Sequence, residues 1–300
     1  ALNYKMHGLD VTGYHIVNVV IHLINAVLVY WIVLLTFRTP SIEVFSNHNQ
    51  KVADLVALFS ALLFVSHPIQ TQAVTYIVQR FASLATMFYL LSLAGYIRSR
   101  LSTEKVNKFL FYGISFLSTV LAMKTKETAF TLPVMIAVYE VMFFEGKLIK
   151  RILCLIPLLL TMAIIPLTLL SLKTNVGSLI GDVSEATKVQ TTMSRTEYLF
   201  TQFRVIVTYL RLFFLPVNQN IDYDYPIYHS FFSPSVFLSF IFFASLISLG
   251  IFILYRYRKS APQTRLISFG IFWFFTALSV ESSVIPIVDV IFEHRMYLPS

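Results

Sequence analysis

Charge is what this chain has least of. Asp, Glu, Lys and Arg make up 13% of its 300 residues, against about 25% in an ordinary soluble domain. Cysteine is nearly absent: Cys154 stands alone inside an apolar run, where a small buried thiol is the default, so a disulfide framework and a zinc signature are both excluded. No charged leader followed by an apolar stretch and a small-residue cleavage site opens the chain, so no targeting segment can be read. No repeat with a period of 20–50 residues is visible, and no inverted duplication of the halves. What is present is oil: 57% of the residues are hydrophobic and 15% aromatic, with a mean hydropathy of +0.73. These values describe a membrane protein.

The formal net charge is +8, but the basic residues sit in short clusters between apolar runs. That is the pattern of a protein held by anionic headgroups rather than one that binds nucleic acid. The first residue is Ala1 and the last, Ser300, falls inside an unfinished pattern, so the chain is expected to be a fragment forming one polytopic membrane domain over 1–300.

A helix needs about 20 mostly apolar residues to cross the hydrocarbon. The runs 14–37, 52–67, 81–98, 109–123, 128–145, 152–172, 234–255 and 266–285 predict an all-α transmembrane bundle of about eight spans. Arg98, Arg100, Lys105 and Lys108 fill one connection, Lys147, Lys150 and Arg151 another, and Arg256, Arg258, Lys259 and Arg265 a third. The excess of basic residues predicts that these are cytoplasmic, together with a first loop, 38–51, that carries only Arg38 and Lys51. Alternation then puts 1–13, 67–80, 123–127, 173–233 and 281–300 on the exoplasmic side. In the segment 198–215, Glu197, Thr201, Arg204, Thr208 and Arg211 recur at steps of four and three and share one helical face. If this segment crossed, the Arg256 cluster would move outside, so it is expected to lie at the exoplasmic surface or to re-enter from it.

Polar residues collect at that predicted exoplasmic end. His15, Asn18, His22 and Asn25 form a stripe on the first span, which should face other helices because polar groups in lipid are costly. His67 precedes Pro68, which bars a continuing helix, and a short surface helix is expected before Arg80. Lys124, Lys126 and Glu127 crowd one tight turn, where the lysines suit a phosphate and Glu127 would orient one of them. Farther on, Arg204 and Arg211 share a face, and Glu293, His294 and Arg295 close the chain; a planar guanidinium beside a carboxylate suits bidentate phosphate recognition. Lys124, Arg204, Arg211 and Arg295 are expected to approach one phosphate, with His15, His67 and Arg80 as orienting residues. Asp222 and Asp224 flank Tyr223, a pattern that suits sugar hydroxyls and is a weak signal for a divalent cation. No other cofactor is indicated, and no resident metal.

"GYHIVNVVIHLINAVLVY", "SHPIQTQAVTYIVQR", "KTKETAFTLPV" and "EHRMYLPS", in this order and spacing, resemble the membrane portion of the transmembrane and tetratricopeptide-repeat O-mannosyltransferases and their bacterial relatives, within the GT-C class of glycosyltransferases. The resemblance covers essentially the whole chain. It implies transfer of a hexose such as mannose from a polyprenyl-phosphate carrier to a hydroxyl of a protein or glycan acceptor, with inversion, on the periplasmic or luminal side of a bacterial inner membrane or the endoplasmic reticulum membrane. It also implies an acidic general base in a loop upstream of Ala1 and a repeat domain after the last span; Asp10 lies too near the next span to take the base's role. Gln72 departs from the family pattern, which carries an acid there. Two other readings stay open: a secondary transporter, which would place its polar groups near mid-membrane, and a ligase or polymerase of lipid-linked glycans.

Overall fold

The computed structural model describes residues 4–5, 8, 10–42, 50–171, 193–257, 260–283, 286 and 289–300. Residues 43–49 of the first predicted loop, 173–192 of the long connection, and Arg258 and Lys259 of the basic cluster lie outside the described residues. Among the described residues all regular structure is helical. In chain order the helices are α1 (Thr12–Phe37), α2 (Gln50–Ser66), α3 (Thr71–Thr75), α4 (Arg80–Leu101), α5 (Lys105–Thr125), α6 (Leu132–Phe143), α7 (Leu148–Leu160), α8 (Ile164–Ser171), α9 (Arg195–Phe214), α10 (Pro234–Arg256) and α11 (Arg265–Leu278), with a 3-10 turn at Glu293–Met296.

Each of the eight apolar runs becomes helix, but they are not equal. Five segments are long and apolar enough to cross a membrane: α1, α4, α5, Leu148–Thr168 and α10. A sixth exists if α2 and Pro68–Thr75, which meet at a 50° bend, form one broken span. The break has a local cause, since His67 is extended at φ −69°, ψ 125° and Pro68 follows it, the geometry that proline imposes on its predecessor. α6 has 12 residues and α11 has 14; at 1.5 Å per residue they reach only about 18 and 21 Å, against roughly 30 Å of hydrocarbon. The run 128–145 is divided by a 3-10 turn at Glu127–Thr131, and the run 266–285 leaves the helix after Leu278.

α4 is the central helix, packed along α5 and α1. Gly95 allows this closeness: a Cβ there would stand 3.0 Å from the Phe111 carbonyl oxygen and 3.2 Å from the Ser115 nitrogen. Ser92 then bonds Thr119 at 2.7 Å across the same seam, the small-residue packing by which helices associate where water supplies no driving force.

The polar groups segregate to the two ends of the bundle. At one end Glu140, fully buried, takes two bonds from Arg100, one from Arg151 at 3.2 Å and one from the Tyr96 hydroxyl at 3.0 Å. Buried Arg265 reaches Ser41 and the Met142 carbonyl at the same end. At the other end α9 is tied to the connecting segments. Along its length Tyr198 donates to the Glu281 carbonyl, Gln202 to that of Val290 and Tyr209 to that of Phe292, while His67 donates to Phe213. These contacts run from Tyr198 to Phe213, nearly the whole 20 residues of the helix.

Candidate functional site

The first helix ties this end together. Asn18, His22 and Asn25 are buried and His15 is exposed, so the stripe faces the bundle except at His15, which lies at the edge of the arc in the first turn. Asn18 donates to the Val74 carbonyl at 3.0 Å and accepts from the Arg80 Nε at 2.8 Å, which pins the 67–80 connection to α1. Arg80 also donates to the Tyr14 carbonyl and packs over the Tyr14 ring. His22 Nε2 donates to the Val65 carbonyl, so its Nδ1 accepts from the Tyr297 hydroxyl at 2.8 Å. Asn25 in turn donates to that hydroxyl at 3.0 Å. The stripe thereby seats the turn that carries residues 293–297.

His67 is fixed in one tautomer by its neighbours. Its Nδ1 accepts the Ile69 backbone N–H, which leaves Nε2–H to donate to the Phe213 carbonyl at 2.9 Å, and its ring stacks on that of Phe213. This histidine caps a turn and tethers α9.

A small charged pocket of about 10 Å³, room for roughly one water, lies where α5 ends and the 293–297 turn passes, lined by Lys126, Glu281, His294 and Arg295 with Ala82, Thr86, Thr128, Ala277, Tyr297, Leu298 and Pro299. Lys126 caps α5 and places its Nζ 2.6 Å from Glu281 Oε1. Arg295 is buried and spans the carbonyls of Val290 at 3.0 Å and Asp289 at 2.7 Å. His294 donates its backbone N–H to Gln72 Oε1 at 2.7 Å, and its Nδ1 lies 3.1 Å from the same oxygen. An Nδ1–H donor leaves the lone pair on Nε2. Burial, with the positive charges of Lys126 and Arg295 beside it, pushes the His294 pKa down to about 3, so this histidine is a neutral acceptor at any physiological pH.

The sign of the resulting pH dependence follows. The folded pKa lies below the unfolded value of 6.5, so the unfolded chain binds the extra proton first and stability is full above pH 6.5 and falls as pH drops toward 3. At pH 4.5, two units below the unfolded pKa, the loss from this group should reach about 2.7 kcal/mol. Thermal unfolding between pH 7.5 and 4.5 should show a steeper decline for the wild type than for His294→Asn, which keeps an N–H donor without a titrating ring.

An apolar cavity of about 150 Å³ adjoins the charged pocket. Thr86 and Leu298 line both, and Val29, Ile32, Phe64, Leu90 and Trp273 continue the wall into the bundle. The two cavities thus share a wall at Thr86 and Leu298.

Of the residues expected from sequence, the structure brings Lys126, His294 and Arg295 together. Lys124, Arg204 and Arg211 do not line the pocket that Arg295 lines. Lys124 and Glu127 are exposed at the turn, Arg204 reaches Ser239 on α10, and Arg211 turns back to the Val217 carbonyl. The cause is the polar stripe of α9, which faces α10 and the 217–228 segment. Glu293 points to the other side of its turn and takes bonds from Tyr223, Gln219 and the Asn220 N–H. Asp222 and Asp224 are exposed, and no group of three or more His, Cys, Asp or Glu gathers for a metal ion among the described residues. Glu281 was missed from sequence; a lone acid at the end of an apolar run was its signal.

Five long apolar helices, with charged groups gathered at the bundle's ends, define an integral membrane protein of the polytopic helical class. The chain is similar to several named proteins. Protein O-mannosyl-transferase TMTC3 of Mus musculus is 26% identical over 331 aligned positions, taking in 100% of this chain and 33% of that protein. TMTC1 of Homo sapiens is 32% identical over 154 residues, 49% of this chain and 16% of its own length, and Tmtc3 of Drosophila melanogaster 28% over 147 residues, 46% and 16%. The resemblance to the protein O-mannosyl-transferases is therefore shown, and the chain spans about a third or less of these relatives. No family model and no solved structure matches.

Proposed function

We propose that this chain is the membrane portion of a GT-C-like glycosyltransferase that moves a hexose from a polyprenyl-phosphate carrier to a hydroxyl of a protein acceptor. The observation that carries the reading is the pair of cations, Lys126 and Arg295, gathered in one small pocket whose wall residues Thr86 and Leu298 also line an apolar cavity. The similarity to protein O-mannosyl-transferases supports mannose as the sugar and the endoplasmic reticulum membrane or its bacterial counterpart as the location. In this reading eight helices cross, α9 lies in the interface, and the pocket end is exoplasmic; the gathering of Arg100, Arg151 and Arg265 at the opposite end supports that orientation.

Chemically, the leaving phosphate gains negative charge as the glycosidic bond breaks, and preorganised cations stabilise that charge. Lys126 and Arg295 are in place to supply it. Glu281 holds the Lys126 ammonium by one of its three N–H groups, and the Asp289 and Val290 carbonyls fix the Arg295 guanidinium before any ligand arrives. His294, neutral, offers its Nε2 lone pair to a hydroxyl rather than competing for the phosphate. Polar groups gathered at a helix end also support transfer over transport, which would use mid-membrane sites.

The test is direct. The complete protein, purified in detergent, is given mannose labelled on a polyprenyl phosphate and a serine- and threonine-containing peptide. Label should appear on the peptide, and a nucleotide-linked mannose without the lipid should give none. Folded protein that transfers nothing from the lipid donor overturns the reading.

A further inference from the structure

The inner face of α9 meets the connection that carries Arg295. Tyr198, Gln202, Val205, Tyr209 and Leu212 recur at steps of four, three, four and three, and all five are buried, so they share a helical face of their own. Val205, Tyr209 and Leu212 pack with Ile291 and Met296 in one buried cluster. The polar groups of this face are spent on the same connection.

Gln202 donates to the Val290 carbonyl at 2.9 Å, the oxygen that also accepts from Arg295 Nη1 at 3.0 Å. Tyr209 donates to the Phe292 carbonyl at 3.0 Å, the oxygen that also accepts the Arg295 backbone N–H at 3.2 Å. The same hydroxyl accepts the Phe292 N–H at 3.1 Å, so one side chain satisfies both backbone groups of Phe292. The Arg295 guanidinium in turn lies over the Phe292 ring, 5.7 Å from its centroid. Tyr198 bonds the Glu281 carbonyl at 2.7 Å and the Arg295 side chain as well. Backbone and side chain of Arg295 are therefore both anchored on atoms that α9 holds. Water does not replace these bonds readily, because Tyr198 and Tyr209 are 0% exposed and Gln202 is 1% exposed. Apolar side chains would bury the same face without bonding the two carbonyls that the arginine uses.

We propose that Gln202 and Tyr209 are positioning residues for Arg295: α9 fixes Val290 and Phe292, and these two residues fix the guanidinium at the pocket it shares with Lys126. The role of Arg295 at a leaving phosphate rests on the proposed function, whereas its placement by α9 stands on the contacts alone. Neither Gln202 nor Tyr209 lines the pocket. Their effect reaches the chemistry only through where the guanidinium stands.

The first arm of the experiment involves no transfer. The complete protein in detergent is treated with phenylglyoxal, and the rate of Arg295 modification is read by peptide mass spectrometry, alongside amide hydrogen exchange over 289–296. Tyr209→Phe keeps the buried ring and removes both bonds to Phe292. It should speed modification of Arg295 and exchange at Phe292 about two- to tenfold, the range for one net hydrogen bond, and Gln202→Met should speed the modification likewise. Tyr139→Phe is the control, equally buried and bonded to Thr36 at 2.7 Å beside the Glu140 end; it should change neither rate. The second arm measures transfer from a mannosyl polyprenyl phosphate. Tyr209→Phe should lower kcat about ten- to a hundredfold, as a displacement of about 1 Å does. Donor KM should change little, because the lost stabilisation belongs to charge that develops only in the transition state. Tyr139→Phe should keep both constants. Unchanged Arg295 modification in both α9 variants, equal changes in Tyr139→Phe, or a wild-type kcat per folded Tyr209→Phe protein overturns the proposal. A wild type that transfers nothing overturns the proposed function instead, and the first arm then decides the placement of Arg295.

Discussion

Replacing Lys126 by Ala in the complete protein is expected to lower transfer from a polyprenyl-phosphate sugar by about a hundredfold to a thousandfold, the usual effect of removing one preorganised donor from a developing negative charge. The same substitution strips Glu281 of its cation. Both side chains are largely buried, at 16% and 9% exposure, so an uncompensated carboxylate should also lower stability. Adding Glu281→Gln separates the two effects, because a neutral amide no longer needs the ammonium. The double variant should regain most of the lost melting temperature and none of the lost transfer. Recovery of transfer in the double variant would show that Lys126 acts only by holding Glu281.

The largest loss of stability is expected at the opposite end, from Glu140→Ala. Glu140 is the only carboxylate bonded to Arg100 and Arg151 among the described residues, and Tyr96 spends its hydroxyl on it. Removing one partner of a buried ion pair costs about 3–5 kcal/mol, and the 19% and 17% side-chain exposure of Arg100 and Arg151 puts the expected loss at the lower end. Here two guanidiniums on α4 and α7 would be left facing each other. Thermal unfolding in detergent should show this loss, while Arg151→Ala, which keeps the bidentate Arg100 contact, should lose less. Equal losses in both variants would mean that the network does not act through its shared carboxylate.

Much of this molecule is legible in its sequence, and for identifiable reasons. Apolar runs of helical length had to become helices, since a backbone in lipid satisfies its polar groups only within itself. The polar stripe at Asn18, His22 and Asn25 had to turn inward for the same cost, and His67-Pro68 had to break the chain's direction. The positions of Lys126, His294 and Arg295 near one end follow from alternation alone. What alternation does not contain is distance. Lys124 and Lys126 are two residues apart, and only the cap geometry at the end of α5 sends one to Glu281 and leaves the other exposed. Arg204 and Arg211 share a helical face with Glu197, yet which neighbour that face meets depends on α10 and the 217–228 segment.

By itself, then, the sequence determined the solvent of this protein, its helices, and the grouping of charges into two sets, because hydropathy and helical period are local properties. Tertiary structure alone decided that α9 bonds along its length to the 281–292 segment, that Glu281 from one connection meets Lys126 from another 155 positions away, and that adjacent Glu293 and His294 face different neighbours. The physical reason is the same in each case. These are matters of which surfaces touch, and a pairing between residues far apart in the chain is fixed by packing and by the need of each buried polar group for a partner, neither of which leaves a periodic mark in the sequence.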